Sequence, residues 1–461
     1  MDRMQEFDLA LNEPVPPALE ESVQRAKARH RAARRGKLFG IPLASLAGAA
    51  AAFILLVNLS TPFALAASRV PFLRELTAAV ALSPSLRAAV EHDYVQYVGQ
   101  SQTVNGVTMA VEYLIVDQKQ VNIFYTLESD LYSRLNGDAN LTLSDGTRPQ
   151  AVVGWGHSEG DGPLRKITLD FTDYSVPDTL NLTYSAWPVG GSANAPPDAP
   201  ARYTPEENAR HNPEPVAAFS FTLKLDPAFT ATGEVYELDR PIVLDGQTVT
   251  VSSVEVYPTH IQLNLRDDGA NTAWLTGLDF YLEDEKGVRY EKISNGVTAT
   301  GSPDGTPFMA SHRLESSYFG DARHLTVHIT GAEWLDKGKE YIDLDIAAGT
   351  AEHLPQGVTL GKVERRGDYV DVVLVAQRRG NGSYGILYNG WLDGDGVRHS
   401  VDRTVSSSPY EENQKWEGVP IPAGSFYESF TLEDCPSDHV KLGVGFSRYG
   451  AFDSPVEIPV K

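Results

Sequence analysis

The sequence has 461 residues, a single cysteine and a formal net charge of −22 at pH 7. Residues 1–37 carry eight Lys/Arg and six Asp/Glu, so the remainder has 31 minus 55, or −24. So acidic a region argues against nucleic acid or anionic lipid as its partner. Because Cys435 cannot form an internal disulfide, an exported region of this length must rely on its hydrophobic core.

The first 37 residues are predicted to form a short cytoplasmic arm. A helix is expected from Pro17, with acidic residues in its first turn and basic residues in its last. An exposed apolar stripe on such a helix can dock in the groove of a partner protein. The partner-binding residues predicted on the arm are Leu9, Leu11, Leu19 and Val23. Alternatively, the arm merely leads the chain to the membrane.

An uncharged run at residues 38–68 follows the arm. About 20 apolar residues span a bilayer core, so residues 38–59 are predicted to be a transmembrane helix. Basic residues on one flank are retained in the cytoplasm. The flanking basic residues are Arg31, Arg34, Arg35 and Lys37. The predicted location is therefore the cell membrane, with the N-terminus cytoplasmic and the C-terminal region extracellular.

The uncharged run has two other interpretations. Ala64-Leu65-Ala66 resembles the cleavage site of a secretory signal peptide, although its n-region of 37 residues would be unusually long. Arg34-Arg35 suggests a twin-arginine signal, but the residues that follow fit that pattern poorly. An uncleaved anchor is favoured because of the length of the run and its flanking charge.

Residues 60–92 are predicted to be a helical connector. Phe72, Leu76 and Val80 recur at helical spacing, and Ser83-Pro84 breaks this helix before a second short one. The helices could lie on a membrane surface or cap the first module. Capping is favoured because helices that bind membrane surfaces are usually richer in Lys/Arg.

The C-terminal region contains three copies of one pattern. Each copy has a Gly-x-Thr turn followed by two alternating segments with a polar break between them, as in NGVTMAVEYLIVDQKQVNIFYTL. A second Gly turn follows about 38 residues after the first. The spacings between the repeat Thr and the turn Gly are 38, 39 and 37 residues. Each copy then ends in two further strand-like segments. The paired positions are Thr108 and Gly146, Thr248 and Gly287, and Thr359 and Gly396.

The alternation of apolar and polar residues indicates antiparallel sheets with one buried face. The predicted fold class is mainly β: one N-terminal transmembrane helix, then three tandem immunoglobulin-like antiparallel β-sandwiches. Their predicted bounds are 93–226, 227–350 and 351–461, and a Pro-rich surface loop at 188–216 interrupts the first.

No catalytic, cofactor or metal motif occurs in the sequence. Cys435 precedes Pro436 and has no convincing His partner in its local sequence, so it is interpreted as a buried or incidental thiol. Asp393-Gly394-Asp395-Gly396 suggests a calcium loop, but its counterparts in the other copies contain ordinary turn residues. A hairpin turn is therefore favoured. The protein is predicted to have no enzymatic activity, cofactor or metal.

The order of these parts resembles a family of membrane-anchored anti-sigma factors from Gram-positive bacteria. The resemblance is carried by the arm, the uncharged run, Val70-Pro71-Phe72-Leu73 and NGVTMAVEYLIVDQKQVNIFYTL. In that family an extracytoplasmic domain of unknown function precedes an immunoglobulin-like companion domain, which residues 227–350 resemble. The resemblance implies that the arm binds an extracytoplasmic-function sigma factor. This arm is short for that task, and it lacks a Cys/His cluster.

The predicted function is a single-pass, non-enzymatic signalling protein, similar to an anti-sigma factor, whose external region senses or binds an unknown envelope ligand. The alternative is an adhesive or structural surface protein with an inert arm. An envelope hydrolase is the third and least favoured interpretation.

Overall fold

Strands account for most of the described residues in the computed structural model. The structure describes residues 73–81, 83–132, 134–156, 163–171, 175–188, 215–230, 232–293, 297–380, 385–401 and 403–461. The mainly β character predicted from the alternating pattern is confirmed.

The predicted fold class needs one correction, which concerns the transmembrane helix. Among the described residues, no helix is both long enough and apolar enough to cross a membrane. The two α-helices there have seven and eight residues, whereas a bilayer core requires about 20. The run at 38–59, on which the prediction was based, lies outside the described residues. The fold class is therefore corrected to mainly β, and the membrane-spanning helix is withdrawn.

The connector forms two helices, α1 (Leu73–Ala79) and α2 (Pro84–Glu91). Proline suits the first position of α2 because that N–H has no partner within a helix. Their buried side chains pack on the outer face of the first module, which is the placement that the capping interpretation predicts. The cluster contains Leu76, Val80, Leu86, Ala89, Tyr113, Ile115, Phe124 and Leu164.

Module 1 is a sandwich of two antiparallel sheets. Its strands are β1 (Gln96–Val104), β2 (Val107–Val116), β3 (Gln120–Ser129), β4 (Leu135–Thr142), β5 (Val152–Gly156), β6 (Arg165–Asp170), β7 (Thr179–Pro188) and β8 (Ala217–Lys224). One sheet has the order β1-β2-β3-β6-β5 and the other β4-β7-β8. Alternate residues of both sheets, such as Ile123 and Leu182, form one core between them.

A short 3₁₀ turn, Pro227–Phe229, leads from module 1 into the remaining strands. The next eight strands are β9 (Glu234–Leu244), β10 (Gln247–Val256), β11 (Ile261–Asp267), β12 (Ala273–Asp284), β13 (Arg289–Tyr290), β14 (Ala299–Thr300), β15 (Ser311–Leu314) and β16 (Leu325–Asp336). The last twelve are β17 (Tyr341–Asp345), β18 (Thr350–Glu352), β19 (Val358–Arg366), β20 (Tyr369–Gln377), β21 (Leu387–Leu392), β22 (Arg398–His399), β23 (Arg403–Ser406), β24 (Gln414–Trp416), β25 (Val419–Ile421), β26 (Ser425–Leu432), β27 (His439–Val444) and β28 (Arg448–Pro459).

Modules 2 and 3 are also two-sheet sandwiches. Module 2 has sheets of order β14-β15-β11-β10-β9 and β13-β12-β16-β28. Module 3 has sheets of order β18-β17-β27-β21-β22 and β19-β20-β26-β23, with the β24-β25 hairpin packed on the second. Each module has its own core, centred on residues such as Trp334 in module 2 and Trp391 in module 3.

Modules 2 and 3 have exchanged strands. In module 1 the neighbouring strands β7 and β8 pair with each other. At the corresponding places β16 pairs with β28, and β17 pairs with β27, all antiparallel. The predicted boundary at 350/351 does not follow these sheets, because β17 precedes it and lies in module 3, while β28 follows it and lies in module 2.

These four strands form one two-stranded ribbon, here called the shared ribbon. Ser447 N donates to Trp334 O at 2.7 Å and Val444 N to Glu340 O at 3.0 Å, so the pairing continues between the modules. Residues 325–345 therefore run antiparallel to residues 439–459 through both sandwiches. Because two hydrogen-bonded segments of the chain cross from one module to the other, no single-stranded linker separates the modules.

The repeated glycine turns have the same geometry in all three modules. Gly146, Gly287 and Gly396 have φ values of 84°, 78° and 79°, a region that glycine occupies without steric cost. In each turn the glycine N–H donates at 3.0 Å to the carbonyl three residues earlier. In the third copy, Asp393 Oδ1 accepts from the Asp395 and Val397 N–H groups. The structure therefore shows a hairpin turn at the segment that resembled a calcium loop.

Candidate functional site

Buried polar side chains join the connector, module 1 and module 2. This set is here called the buried junction. It consists of Ser85 of α2, Asp117 and Asp170 of module 1, and Thr259, His260, Arg313 and Glu315 of module 2. Such residues are seldom fully buried unless they are paired, so their partners define how the connector and the two modules contact each other.

Arg313 and Asp170 form a two-pronged ion pair. Arg313 Nε donates to Asp170 Oδ2 at 2.9 Å, and Nη2 donates to Oδ1 at 2.6 Å. Both side chains are 0% exposed. Strand β15 directs Arg313 toward module 1, and Asp170 lies at the end of β6. The planar guanidinium fits a carboxylate in this geometry, so the pair fixes the orientation as well as the contact of the two modules.

Asp117 connects the same modules through hydrogen bonds. Its Oδ1 accepts from the Lys119 and Gln120 N–H groups at 2.9 and 2.8 Å, which forms the turn between β2 and β3. Its Oδ2 accepts from Thr259 N at 3.0 Å and Thr259 Oγ1 at 2.6 Å. One carboxylate therefore holds its own turn and the loop of module 2 between β10 and β11.

His260 lies beside this carboxylate without exposure to solvent. Its Nδ1 is 2.9 Å from Thr259 Oγ1 and 3.8 Å from Asp117 Oδ2. Burial lowers the pKa of His260, against the opposing effects of Asp117 and Asp170. The imidazole is therefore neutral near pH 7 and can donate its Nδ1–H to the threonine oxygen.

Glu315 of module 2 caps helix α2. Its Oε2 accepts from Ser85 N at 2.8 Å and from Ser85 Oγ. Ser83 is the N-cap residue, but its side chain makes no bond to the helix backbone. A carboxylate stabilises a helix N-terminus because it accepts the free N–H groups and opposes the helix dipole. The cap of α2 therefore comes from a residue 230 positions away.

Replacing Glu315 with Gln should loosen α2. The variant keeps the size of the side chain but loses its charge, and we expect the local opening free energy of α2 to fall by about 1–2 kcal/mol. Hydrogen exchange at the Arg87 amide, which donates to Ser83 O, would measure the change. Glu91→Gln at the exposed end of the same helix is the matched control. Equal exchange in both variants would contradict the capping role.

A second polar cluster lies where modules 2 and 3 meet. Arg379 Nε donates to Glu333 Oε2 at 2.8 Å, and Tyr449 Oη donates to Asp279 Oδ2 at 2.8 Å. Burial lowers the pKa of Lys292, against the opposing effects of Asp279 and Glu333. Glu333 and Asp279 each accept a hydrogen bond in this cluster. We therefore interpret the cluster as a contact between modules rather than as a reactive site.

His312 adds a pH dependence to the stability of module 2. It lies edge-on to Phe280, with ring centroids 5.7 Å apart, and burial lowers its pKa to about 3. Between pH 6.5 and about 3 the unfolded chain binds a proton there that the folded chain does not. Above pH 6.5 His312 therefore does not reduce the free energy of unfolding. Between pH 6.5 and about 3 it lowers that free energy by about 1.4 kcal/mol for each unit by which the pH falls.

His312→Leu should remove that dependence. The difference in unfolding free energy between parent and variant, measured by urea denaturation, should shift by about 1.4 kcal/mol per unit between pH 6 and pH 4. A constant difference over that range would show that His312 does not titrate as its burial implies. His260 is present in both proteins, so its own effect cancels.

The residues predicted to bind a partner, Leu9, Leu11, Leu19 and Val23, lie outside the described residues. So do the flanking basic residues Arg31, Arg34, Arg35 and Lys37. Cys435 is buried in the core of module 3, and burial raises the pKa of its thiol. Across the part of the chain that the structure describes, no group of three His, Cys, Asp or Glu side chains could hold a metal ion.

Sequence reasoning missed the buried junction. Its pairs are separated by 143 residues (Asp170 and Arg313) and 230 residues (Ser85 and Glu315). The available signal was an Arg and a Glu within one short strand-like segment, Ser311-His312-Arg313-Leu314-Glu315. A buried strand with charges on one side indicates that this side meets another part of the protein.

Two family models match the chain. One is described as a domain of unknown function (DUF4179) and matches residues 41–129. The other is described as a family of unknown function (DUF5643) and matches residues 233–358. The chain therefore contains two domains of unknown function in the order that the resemblance implied. Among the described elements, the first match spans the connector and β1–β3, and the second spans β9–β18.

No curated protein matches the chain. A solved structure titled "The crystal structure of the conserved domain protein from Bacillus anthracis" is 15% identical to it. That match covers 54% of this chain and 82% of the other, with a TM-score of 0.32. At this score the likeness supports no argument about fold or function.

Proposed function

We propose that this protein is a non-enzymatic regulator, whose β-sandwich region binds a ligand and whose buried junction relays that state to the N-terminal arm. The capping of α2 by Glu315 carries the proposal. Helix α2 belongs to the connector that follows the arm and the uncharged run, and Glu315 belongs to module 2. A change in module 2 that moves Glu315 would therefore release the helix that leads back toward residues 1–37.

The proposed partner of the arm is a sigma factor of the extracytoplasmic-function class. The first family match supports this choice, because it covers the part of the chain that resembles anti-sigma factors. The predicted contacts are made by Leu9, Leu11, Leu19 and Val23. The ion pair and hydrogen bonds that engage most polar groups of the junction favour a binding role over catalysis.

Co-purification from the native host tests the arm. Sigma factors should be enriched on a peptide of residues 1–37 relative to the same peptide with the four apolar residues changed to Ser. Equal recovery on both peptides would exclude the proposed contact.

Transcript profiling tests the relay. Glu315→Gln in the full chain should change the level of one sigma regulon, whereas the control Glu91→Gln should not. A regulon that responds to deletion of residues 2–24 but not to Glu315→Gln would support the arm and reject the relay.

The second candidate is an adhesive or structural surface protein with an inert arm. The shared ribbon favours this alternative, because two hydrogen-bonded segments between modules 2 and 3 make a stiff spacer. It predicts that deleting residues 2–24 leaves transcription unchanged and that surface attachment is lost only when the modules are altered.

A further inference from the structure

Side-chain amides cover one edge of module 1. Strands β1 and β8 are the facing edges of its two sheets, and β1 extends amides to the backbone of β8. These residues, Gln96, Gln100, Gln102 and Asn105, are here called the amide ladder. They donate to the carbonyls of Lys224 at 2.7 Å, Thr222 at 3.2 Å, Ser220, and Val216 at 2.9 Å, respectively.

The ladder also accepts hydrogen bonds from this edge. Ser220 N donates to Gln102 Oε1 at 3.2 Å, and Asp226 N donates to Gln96 Oε1 at 3.0 Å. All the backbone groups involved belong to even-numbered residues. Alternate residues of a strand direct their N–H and C=O groups to the same side. At Ser220, Thr222 and Lys224 of β8, the amides therefore bind the groups with which an added strand would pair.

Strand β8 needs such cover because it is regular. It pairs with β7 from Thr179↔Lys224 to Ala186↔Ala217 without a bulge, and Ala217–Lys224 contains no proline. Its side chains alternate strictly between buried and exposed. A regular edge strand is a template for another strand unless it is bulged, charged or covered.

The other modules protect the corresponding edges differently. In module 3, β18 pairs with β17 and covers it. In module 2, β28 carries a bulge and Pro455, and the opposite edge strand, β9, carries a bulge and Pro241. Two ion pairs, Arg448–Asp245 and Lys461–Glu234, join residues at opposite ends of β9 and β28. Module 1 has neither an added strand nor a bulged β8 among its described residues.

We propose that the amide ladder is a reversible lock on a strand-addition site at β8, and that the strand admitted is β8 of a second copy of this chain. Hydrogen bonds from side-chain amides at the surface contribute little net stability, because water competes for both partners. The lock can therefore open without unfolding of the sandwich, whose core lies between the two sheets.

The sequence of β8 suits pairing with itself. An antiparallel pair centred on Phe221 places Ser220 opposite Thr222 and Ala218 opposite Lys224. No like charges oppose each other in this register, and the four exposed residues of each strand are small or flexible. The product is a continuous six-stranded sheet in which β4, β7 and β8 of each copy join at the two β8 strands.

The test uses Gln100→Thr/Gln102→Thr in the full-length chain. Threonine favours strands but is too short to reach β8. The matched control is Gln150→Thr/Gln414→Thr, at two exposed glutamines elsewhere. Hydrogen exchange at the Ser220 amide, measured at low protein concentration, should accelerate about fivefold in the ladder variant, as expected for one lost hydrogen bond. The control should exchange like the parent.

Sedimentation at rising concentration tests the partner. The ladder variant should associate reversibly to dimers at lower concentration than parent or control. Adding Thr222→Pro should abolish this gain, because it removes an outward N–H and leaves the pairing with β7 intact. Unchanged exchange at Ser220 would overturn the lock. Faster exchange without added self-association, or association that Thr222→Pro does not prevent, would overturn pairing through β8. Gln102→Thr alone supplies the same comparison if the double variant folds poorly, because Gln102 is the residue that binds the Ser220 backbone.

Discussion

Replacing Arg313 with Met should lower the free energy of unfolding by about 3–5 kcal/mol, because Asp170 would remain buried without its partner. Both side chains are fully buried, and the pair makes two hydrogen bonds of 2.9 and 2.6 Å. The cost arises from the uncompensated charge rather than from the attraction lost. Urea denaturation at pH 7 would measure the change.

A double variant separates these two causes. Arg313→Met/Asp170→Leu removes both charges and should recover most of the lost stability, since an apolar pair of similar volume can replace a buried ion pair. The exposed pair Arg266–Asp239, with side chains 62% and 72% exposed, offers the control. Arg266→Met should have little effect because solvent screens that pair. A single Arg313 variant as stable as the Arg266 variant would contradict the prediction.

A cavity in module 3 should destabilise module 2 as well. Phe430 is 2% exposed in the core of module 3, and Phe430→Ala should cost about 3–5 kcal/mol. Modules 2 and 3 share strands, so loss of module 3 also frees β28 from the register that holds it against β16. Native-state hydrogen exchange should therefore show the same loss at amides of β10 and β12 as at those of β20.

The exposed Val405 of β23 provides the control for this coupling, since it is 39% exposed. Val405→Ala should leave exchange in modules 2 and 3 nearly unchanged. If Phe430→Ala lowers protection in β20 and leaves β12 unaffected, the two modules open independently and the shared ribbon does not couple them.

The sequence predicted the local elements of this fold well. Alternation and the Gly turns identified the β-strands, and Gly146, Gly287 and Gly396 occupy the left-handed conformation that such turns require. Pro84 marked the start of α2. These features depend on neighbouring residues, so a local pattern is enough to find them.

The partner strands of β17 and β28, which are β27 and β16, could not be predicted in the same way. Both strands alternate and follow short turns, so their patterns are the same whether they pair within a module or across two. The buried junction posed a similar problem, because its partners lie far apart in sequence. The glutamines of β1 could have been noticed as polar residues on an alternating strand, but their targets are backbone groups, which leave no trace in sequence.

The shared ribbon also restricts how the nascent chain can fold. Thr326 pairs with Pro459, so all of module 3 is synthesised between the two strands. Module 2 therefore cannot complete its fold independently of module 3 while the chain leaves a ribosome or a translocation channel. Its sheet stays incomplete, with one side of β16 unpaired, until residue 459 has emerged. Long-range pairings of this kind slow folding, because the entropy of loop closure is lost before the stabilising contacts form. A chaperone that binds exposed strands would act during that interval.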